Sequence, residues 1–105
     1  MSDAKAEGVE AGGETYRLRL FVAGDEPNSR QARENLAWLC EEHLKERYEL
    51  EIVDVLEDFR PALQDGVLVT PTLLLVAPPP RVMVLGNLSD TPKVLRALQL
   101  AGGEG

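Results

Sequence analysis

Few residues in this chain could run a reaction. A thiol gains most reactivity at the turn before a helix, where unpaired backbone N–H groups favour the thiolate. The turn that should lead into the first helix reads Asp25-Glu26-Pro27-Asn28-Ser29 and holds no cysteine. A serine cannot exchange disulfides, and Asn28 followed by Gln31 fits a helix capping box instead. The one cysteine, Cys40, falls mid-helix on an apolar face. That is the usual place of a buried structural thiol, and alone it forms no intramolecular disulfide. The one histidine, His43, has no second histidine and no cysteine close enough to complete a metal site. Glu41, Glu42, Glu46, Glu49, Glu51, Glu57 and Asp58 read as a solvated surface. No catalytic residue, metal ligand or cofactor is therefore expected. Trp38 fits this pattern least: on a helical wheel it lies roughly opposite Ala32, Leu36 and Leu39. Either it marks a partner surface, where tryptophan is enriched, or a loop covers it or both helix faces pack.

The elements that would position these residues belong to one modest domain. The chain has 105 residues, 44% hydrophobic and 28% charged, with only 5% aromatic, so its core must be aliphatic. Of the net charge of -7, -3 sits in the first fifteen residues, where Asp3, Glu7, Glu10 and Glu14 outweigh Lys5. No basic stripe offers itself to a phosphate backbone, which excludes nucleic acid as the expected partner. The acidic N-terminus lacks the apolar core of a signal peptide, and no apolar run approaches the ~20 residues of a membrane helix. A reducing, cytoplasmic location without membrane attachment is the plain expectation. Residues 1–15 read as a disordered acidic tail, 16–100 as the domain, and 101–105 as a flexible end.

Within the domain, Tyr16, Leu18, Leu20 and Val22 alternate with Arg17, Arg19 and Phe21, which predicts a strand partly covered on its second face. Ala32, Leu36, Leu39, Cys40 and Leu44 recur at helical spacing and predict a helix to about Arg47. A second strand over Leu50 to Leu56, anchored by Leu50, Ile52 and Val55, should run parallel to the first across that helical crossover. Asp58 to Asp65 suits a short helix with Pro61 in its first turn. Val69 to Ala77 and Arg81 to Leu85 predict a hairpin interrupted by Pro78, Pro79 and Pro80 and closed by Gly86. Thr91 to Leu100 predicts a last helix. The fold class is α/β, a single domain in the βαβαββα thioredoxin-like order.

Several stretches together resemble one family, KaiB, the small circadian-clock proteins that bind the KaiC ATPase. They are Tyr16 to Gly24, Pro27-Asn28-Ser29 with Ala32, Ile52 to Leu56, Val69-Thr70-Pro71-Thr72-Leu73, Pro78 to Pro80, Gly86-Asn87-Leu88-Ser89, and Lys93-Val94-Leu95. The resemblance spans Tyr16 to Leu100 and implies two interconvertible folds. One is a ground-state fold, usually tetrameric. The other is a thioredoxin-like monomer that docks on the first ATPase ring of KaiC. It also implies clock partners such as the histidine kinase SasA, a docking edge at Glu49, Leu50, Glu51 and Ile52 with the short helix beside it, and a cis bond before Pro71. Residues expected to take part in the fold switch are Pro71, Pro78, Pro79, Pro80, Val82, Gly86, Ala97 and Gln99.

Local chemistry predicts which state dominates. The family commonly has Gly and Asp where this chain has Ala97 and Gln99, and Ala is worth ~1 kcal/mol over Gly in a helix interior. Arg81 to Leu85 is rich in β-branched valine and favours a strand. A bias of ~1.4 kcal/mol shifts a two-state ratio tenfold, so the thioredoxin-like monomer is expected as the major species. Glu51, Gly66, Leu75 and Val82 stand where cyanobacterial members of the family carry basic residues, which points either to a divergent KaiC-like partner or to service outside a true oscillator. The expected function is non-enzymatic regulation of such an ATPase. The alternatives are an adaptor for a SasA-like sensor kinase and a thioredoxin-like redox enzyme, the latter opposed by the missing cysteine.

Overall fold

In the computed structural model, residues 15–102 are described, with side chains through Leu98. The expected tail over 1–14 and the final residues 103–105 lie outside the described residues. The order is β1 (Tyr16–Val22), α1 (Pro27–Leu39), a π-helical turn (Cys40–Leu44), β2 (Tyr48–Asp54), α2 (Arg60–Asp65), β3 (Thr72–Ala77), β4 (Val82–Leu85) and α3 (Thr91–Gly102). The strands form one sheet in the order β2-β1-β3-β4. β1 and β2 are parallel, with Leu18 opposite Leu50 and Phe21 opposite Val53. β3 is antiparallel to both β1 and β4.

The alternation along β1 divides the interior into two layers. Leu18, Leu20 and Val22 join Leu73, Leu75 and Val84 on one face, packed against Ala32, Leu36 and Leu39 of α1 and Val94 and Leu98 of α3. Phe21 points to the other face and meets Val53, Leu74, Ala62 and Val67 beneath α2. Helices on both faces of a mixed sheet are the arrangement that a strand-helix-strand start and a closing hairpin require.

Several boundaries differ from the sequence expectation: β3 starts at Thr72 and not Val69, α2 at Arg60 and not Asp58, and β4 at Val82 and not Arg81. Pro27 opens α1 at the position where a missing N–H costs nothing, so Asn28 lies inside the helix and does not cap it. Ser29 instead turns inward, and its Oγ accepts the Ala23 N–H at 2.9 Å. The first helix does not reach Arg47: the wider π turn ends at Leu44, and Lys45 at φ 52° breaks the chain out. β2 starts and ends two residues earlier than expected, and Ile52 is not an anchor. It is 43% exposed because β2 is an edge strand, while Val53 on the opposite face is buried. α3 runs on through Ala101 and Gly102, which the sequence places in the flexible end.

A charged network ties α2 down. Asp65, the last residue of α2, accepts from Arg19 of β1 at 2.6 Å and from Arg81, just before β4, at 3.3 Å. Arg19 also reaches Glu51 of β2 at 3.0 Å. Asp65, with Glu51 beside it, holds the Arg19 guanidinium above its ordinary pKa despite partial burial. The Asp65 side chain is only 13% exposed, so solvent screens this pair weakly. Asp65→Asn is expected to cost about 1–3 kcal/mol, as for a charged hydrogen bond removed from a sheltered site. Urea denaturation would measure it, and a loss below ~0.5 kcal/mol would place the network in the class of ordinary surface pairs.

Candidate functional site

The residues that would carry redox chemistry are laid out against it. Ser29 is fully buried at the start of α1 and is occupied by the Ala23 N–H. Cys40 is fully buried, and burial, with the Glu41 carboxylate adding to it, pushes its thiol up to about 12. A thiol held protonated is a poor nucleophile. Cys40 is expected to resist iodoacetamide in the native protein and to label at once on unfolding. The sign of the pH effect follows: above about 9.0, its ordinary value, the unfolded thiol ionises while the native one does not. Stability therefore falls as pH rises from there towards about 12. Rapid native labelling at pH 8 would contradict the burial. No group of three or more His, Cys, Asp or Glu residues among the described residues is placed to hold a metal ion.

The surface suited to docking lies around β2 and α2. β2 leaves its outer backbone edge unpaired within the sheet, a row of donors and acceptors that can receive another chain. Glu49 and Glu51 are exposed beside it, paired inward with Arg17 at 3.5 Å and Arg19 at 3.0 Å. Leu50 is half-buried against the core, and Ile52 is exposed. Beyond the strand, Leu56, Phe59, Leu63, Leu68 and Val69 are each more than half exposed, and Leu68 reaches 90%. Phe59, Leu63, Leu68 and Val69 border a shallow groove of about 260 Å³ floored by Ala62 and Val67.

Local structure explains why this apolar apron stays open. α2 is held at its start by Asp58, which accepts from the Arg60 backbone N–H at 3.1 Å and pairs with its guanidinium at 2.9 and 3.0 Å. Arg60 in turn holds the Asp58 carboxyl below its usual pKa. The helix ends at Gly66, whose φ of 74° lets the chain turn back so that Val67 donates to Ala62 O at 2.8 Å. A six-residue helix turns only Ala62 fully inward and leaves Leu63 exposed.

The other expected residues are scattered. Trp38 is 52% exposed on α1, not covered by a loop, and α1 packs on the sheet face opposite α2. The switch residues run along the second half of the chain: Pro71 is buried before β3, Pro78 is buried, and Pro79 and Pro80 are exposed in the turn. The Thr70–Pro71, Ala77–Pro78 and Pro79–Pro80 bonds are cis. Val82 opens β4, Gly86 follows it at φ 105°, and Ala97 and Gln99 lie in α3. The resemblance places the expected docking edge at Glu49 to Ile52 and the short helix beside it, without naming the exposed apolar side chains there. The available signal was the crowding of Leu56, Phe59, Leu63, Leu68 and Val69 into a stretch with one short helix to bury them.

Comparison with known proteins decides the family. The KaiB domain model matches residues 19–100. The chain belongs to the KaiB family. It is 45% identical over 86 residues to the circadian clock oscillator protein KaiB of Microcystis aeruginosa, covering 82% of this chain and 83% of that one. It is 41% identical over 83 residues to the circadian clock protein KaiB3 of Synechocystis sp., covering 79% and 81%. Among solved structures, the N-terminal domain of Synechococcus elongatus SasA aligns with a TM-score of 0.70 at 21% identity, covering 91% of this chain and 92% of that domain. Chloroplastic thioredoxin z aligns with a TM-score of 0.70 at 18% identity, covering 86% and 81%. At such identities these structures share the thioredoxin-like fold, whereas the KaiB relatives share the sequence. The protein is thus a KaiB-family member on a thioredoxin-like scaffold. None of its described helices is long and apolar enough to cross a membrane.

Proposed function

We propose that the protein regulates a KaiC-like ATPase by docking on its ring through the β2 edge and the α2 apron. The observation that carries this reading is the continuity of the two: an unpaired strand edge runs into a group of exposed apolar side chains around one groove. An exposed apolar group of that extent on a small protein marks a partner surface. Glu49, Leu50, Glu51 and Ile52 supply the strand edge, and Phe59, Leu63, Leu68 and Val69 the apolar contact. Docking selects the thioredoxin-like state, and a monomer in that state is the working form. An extended Val82–Leu85 and a helical Thr91–Gly102 support it, with Ala97 and Gln99 favouring the helix. The second half of the chain, from Pro71 through Pro80 to Gly86, would be the part refolded in the tetrameric ground state.

The test is a calorimetric titration of the full chain into a KaiC-like ATPase ring and, separately, into the sensory domain of a SasA-like histidine kinase. Saturable binding to the ring is expected. Binding to the kinase domain alone would replace this reading with the kinase-adaptor one, and binding to neither would overturn both.

A further inference from the structure

β4 lies at the rim of the sheet and pairs there with β3. What holds its two ends therefore decides how firmly it and the helix after it stay in place. Before the strand, Arg81 reaches Asp65 at the end of α2 across 3.3 Å, with its side chain 56% exposed. After the strand, Asn87 is taken by α1. Asn35, half-buried on that helix, donates its Nδ2 to the Asn87 carbonyl at 2.8 Å. Asn87 Nδ2 donates in turn to Asn28 Oδ1 at 3.4 Å, while Asn87 Oδ1 accepts the Ser89 N–H at 3.1 Å. One asparagine thus meets two residues of α1 and closes the turn that leads into α3.

That turn is strained. Gly86 sits at φ 105° and Leu88 at φ 66°. Glycine takes left-handed backbone freely, whereas a leucine there brings its Cβ against the following carbonyl. Asparagine tolerates the conformation better, yet it falls on Leu88 and not on Asn87. Such a residue persists only where its surroundings over-determine it. Two things do so here. Leu88 is buried in the main core, and the residue before it is bonded to α1. Without the Asn35 amide, the Asn87 carbonyl loses that donor, and opening the corner would relax Leu88.

We propose that Asn35 is a latch. Its amide holds the corner between β4 and α3 against the strain at Leu88. When it lets go, β4 and α3 leave the core as one unit while β1, β2 and α1 stay folded. This names a control on the two-state behaviour proposed above, and it rests on that reading only for what the released half does next. The placement of the residues fits the division. Asn28 and Asn35 lie on α1, whose Ala32, Leu36 and Leu39 are packed under β1, whereas Asn87 and Leu88 lie between the two elements that would leave.

The test is native-state amide exchange, read by NMR on the full chain in low denaturant. Asn35→Ala removes the latch yet places the best helix former in α1, so an effect confined to helix stability would slow exchange there. Asn35→Asp keeps the shape and puts an oxygen where the donor was. In both variants the amides of Val84, Val94 and Leu98 should exchange about tenfold faster, relative to those of Leu18 and Leu20, than in the parent. That is the size expected when a sheltered hydrogen bond is removed and its acceptor left behind. Asn28→Ala removes an exposed arm and should change the ratio less than about twofold. An unchanged ratio in either Asn35 variant, or faster exchange spread evenly over β1 and β2, would overturn the latch. The same spectra keep the two readings apart. A second set of folded resonances with equal weight in parent and variants would leave the two-state reading standing without the latch. Selective exchange of β4 and α3 with a single set of resonances would support the latch and remove the refolded state.

Discussion

Phe21→Ala is expected to lower stability by about 3–5 kcal/mol, the largest single loss this fold should show. Phe21 is fully buried and is the one aromatic side chain in the layer beneath α2. That layer holds only Val53, Ala62, Val67 and Leu74 besides, with Val55 and Val76 at its margin. Four small aliphatic neighbours cannot close over the space of a benzyl group, so the cavity term adds to the lost transfer energy. Urea denaturation should show the midpoint moving while the slope stays constant. The loss should also be uneven. Ala62 and Val67 lose their main contact, so amides of α2 should exchange faster relative to those of β1 and β3 than in the parent. A cost below ~1 kcal/mol with unchanged exchange in α2 would mean that the second layer collapses freely and that Phe21 does not seat this helix.

The same layer shows what the sequence could tell and what it could not. Alternation in β1 was legible because both faces of a central strand are buried by different partners, and Phe21 broke the polar phase visibly. β2 was harder. An edge strand buries little, so Ile52 looks like an anchor by type while Val53, one residue on, takes the buried position beside Phe21. The end of the first helix was illegible for another reason. Period 3.6 describes an α-helix, and the π turn over Cys40–Leu44 changes the period just where Cys40 and Leu44 are both buried. Asn28 carried a capping signature, but Pro27 ahead of it already fits the first helical turn, so the cap falls on Glu26 and the helix starts two residues early. The docking edge was placed by family resemblance. It included the short helix but not which of its neighbours stay exposed, because side-chain exposure around a six-residue helix depends on Gly66 and the return of Val67, which no periodicity encodes.

The apron yields the sharpest functional prediction. Leu63→Glu combined with Leu68→Glu is expected to weaken docking on a KaiC-like ring by about a hundredfold. Each side chain, if it fills a partner pocket, contributes roughly tenfold, about 1.4 kcal/mol, above the ~1 kcal/mol that few interface residues exceed on truncation, and a carboxylate at either position must also be desolvated against an apolar partner. Leu63 is 65% exposed and Leu68 90%, so the free protein should keep its stability within ~0.5 kcal/mol. Two controls separate the causes. Leu63→Gln with Leu68→Gln removes the apolar contact without adding charge. If the glutamate pair weakens binding and the glutamine pair does not, repulsion is responsible and the apron is not an apolar contact. Leu85→Glu places the same charge on β4, at the opposite edge of the sheet, where the side chain is 55% exposed. It should leave ring binding unchanged. If Leu85→Glu weakens binding as much as the α2 pair does, docking does not discriminate between the two edges, and the continuity of the β2 edge with the α2 groove is not what the ring recognises.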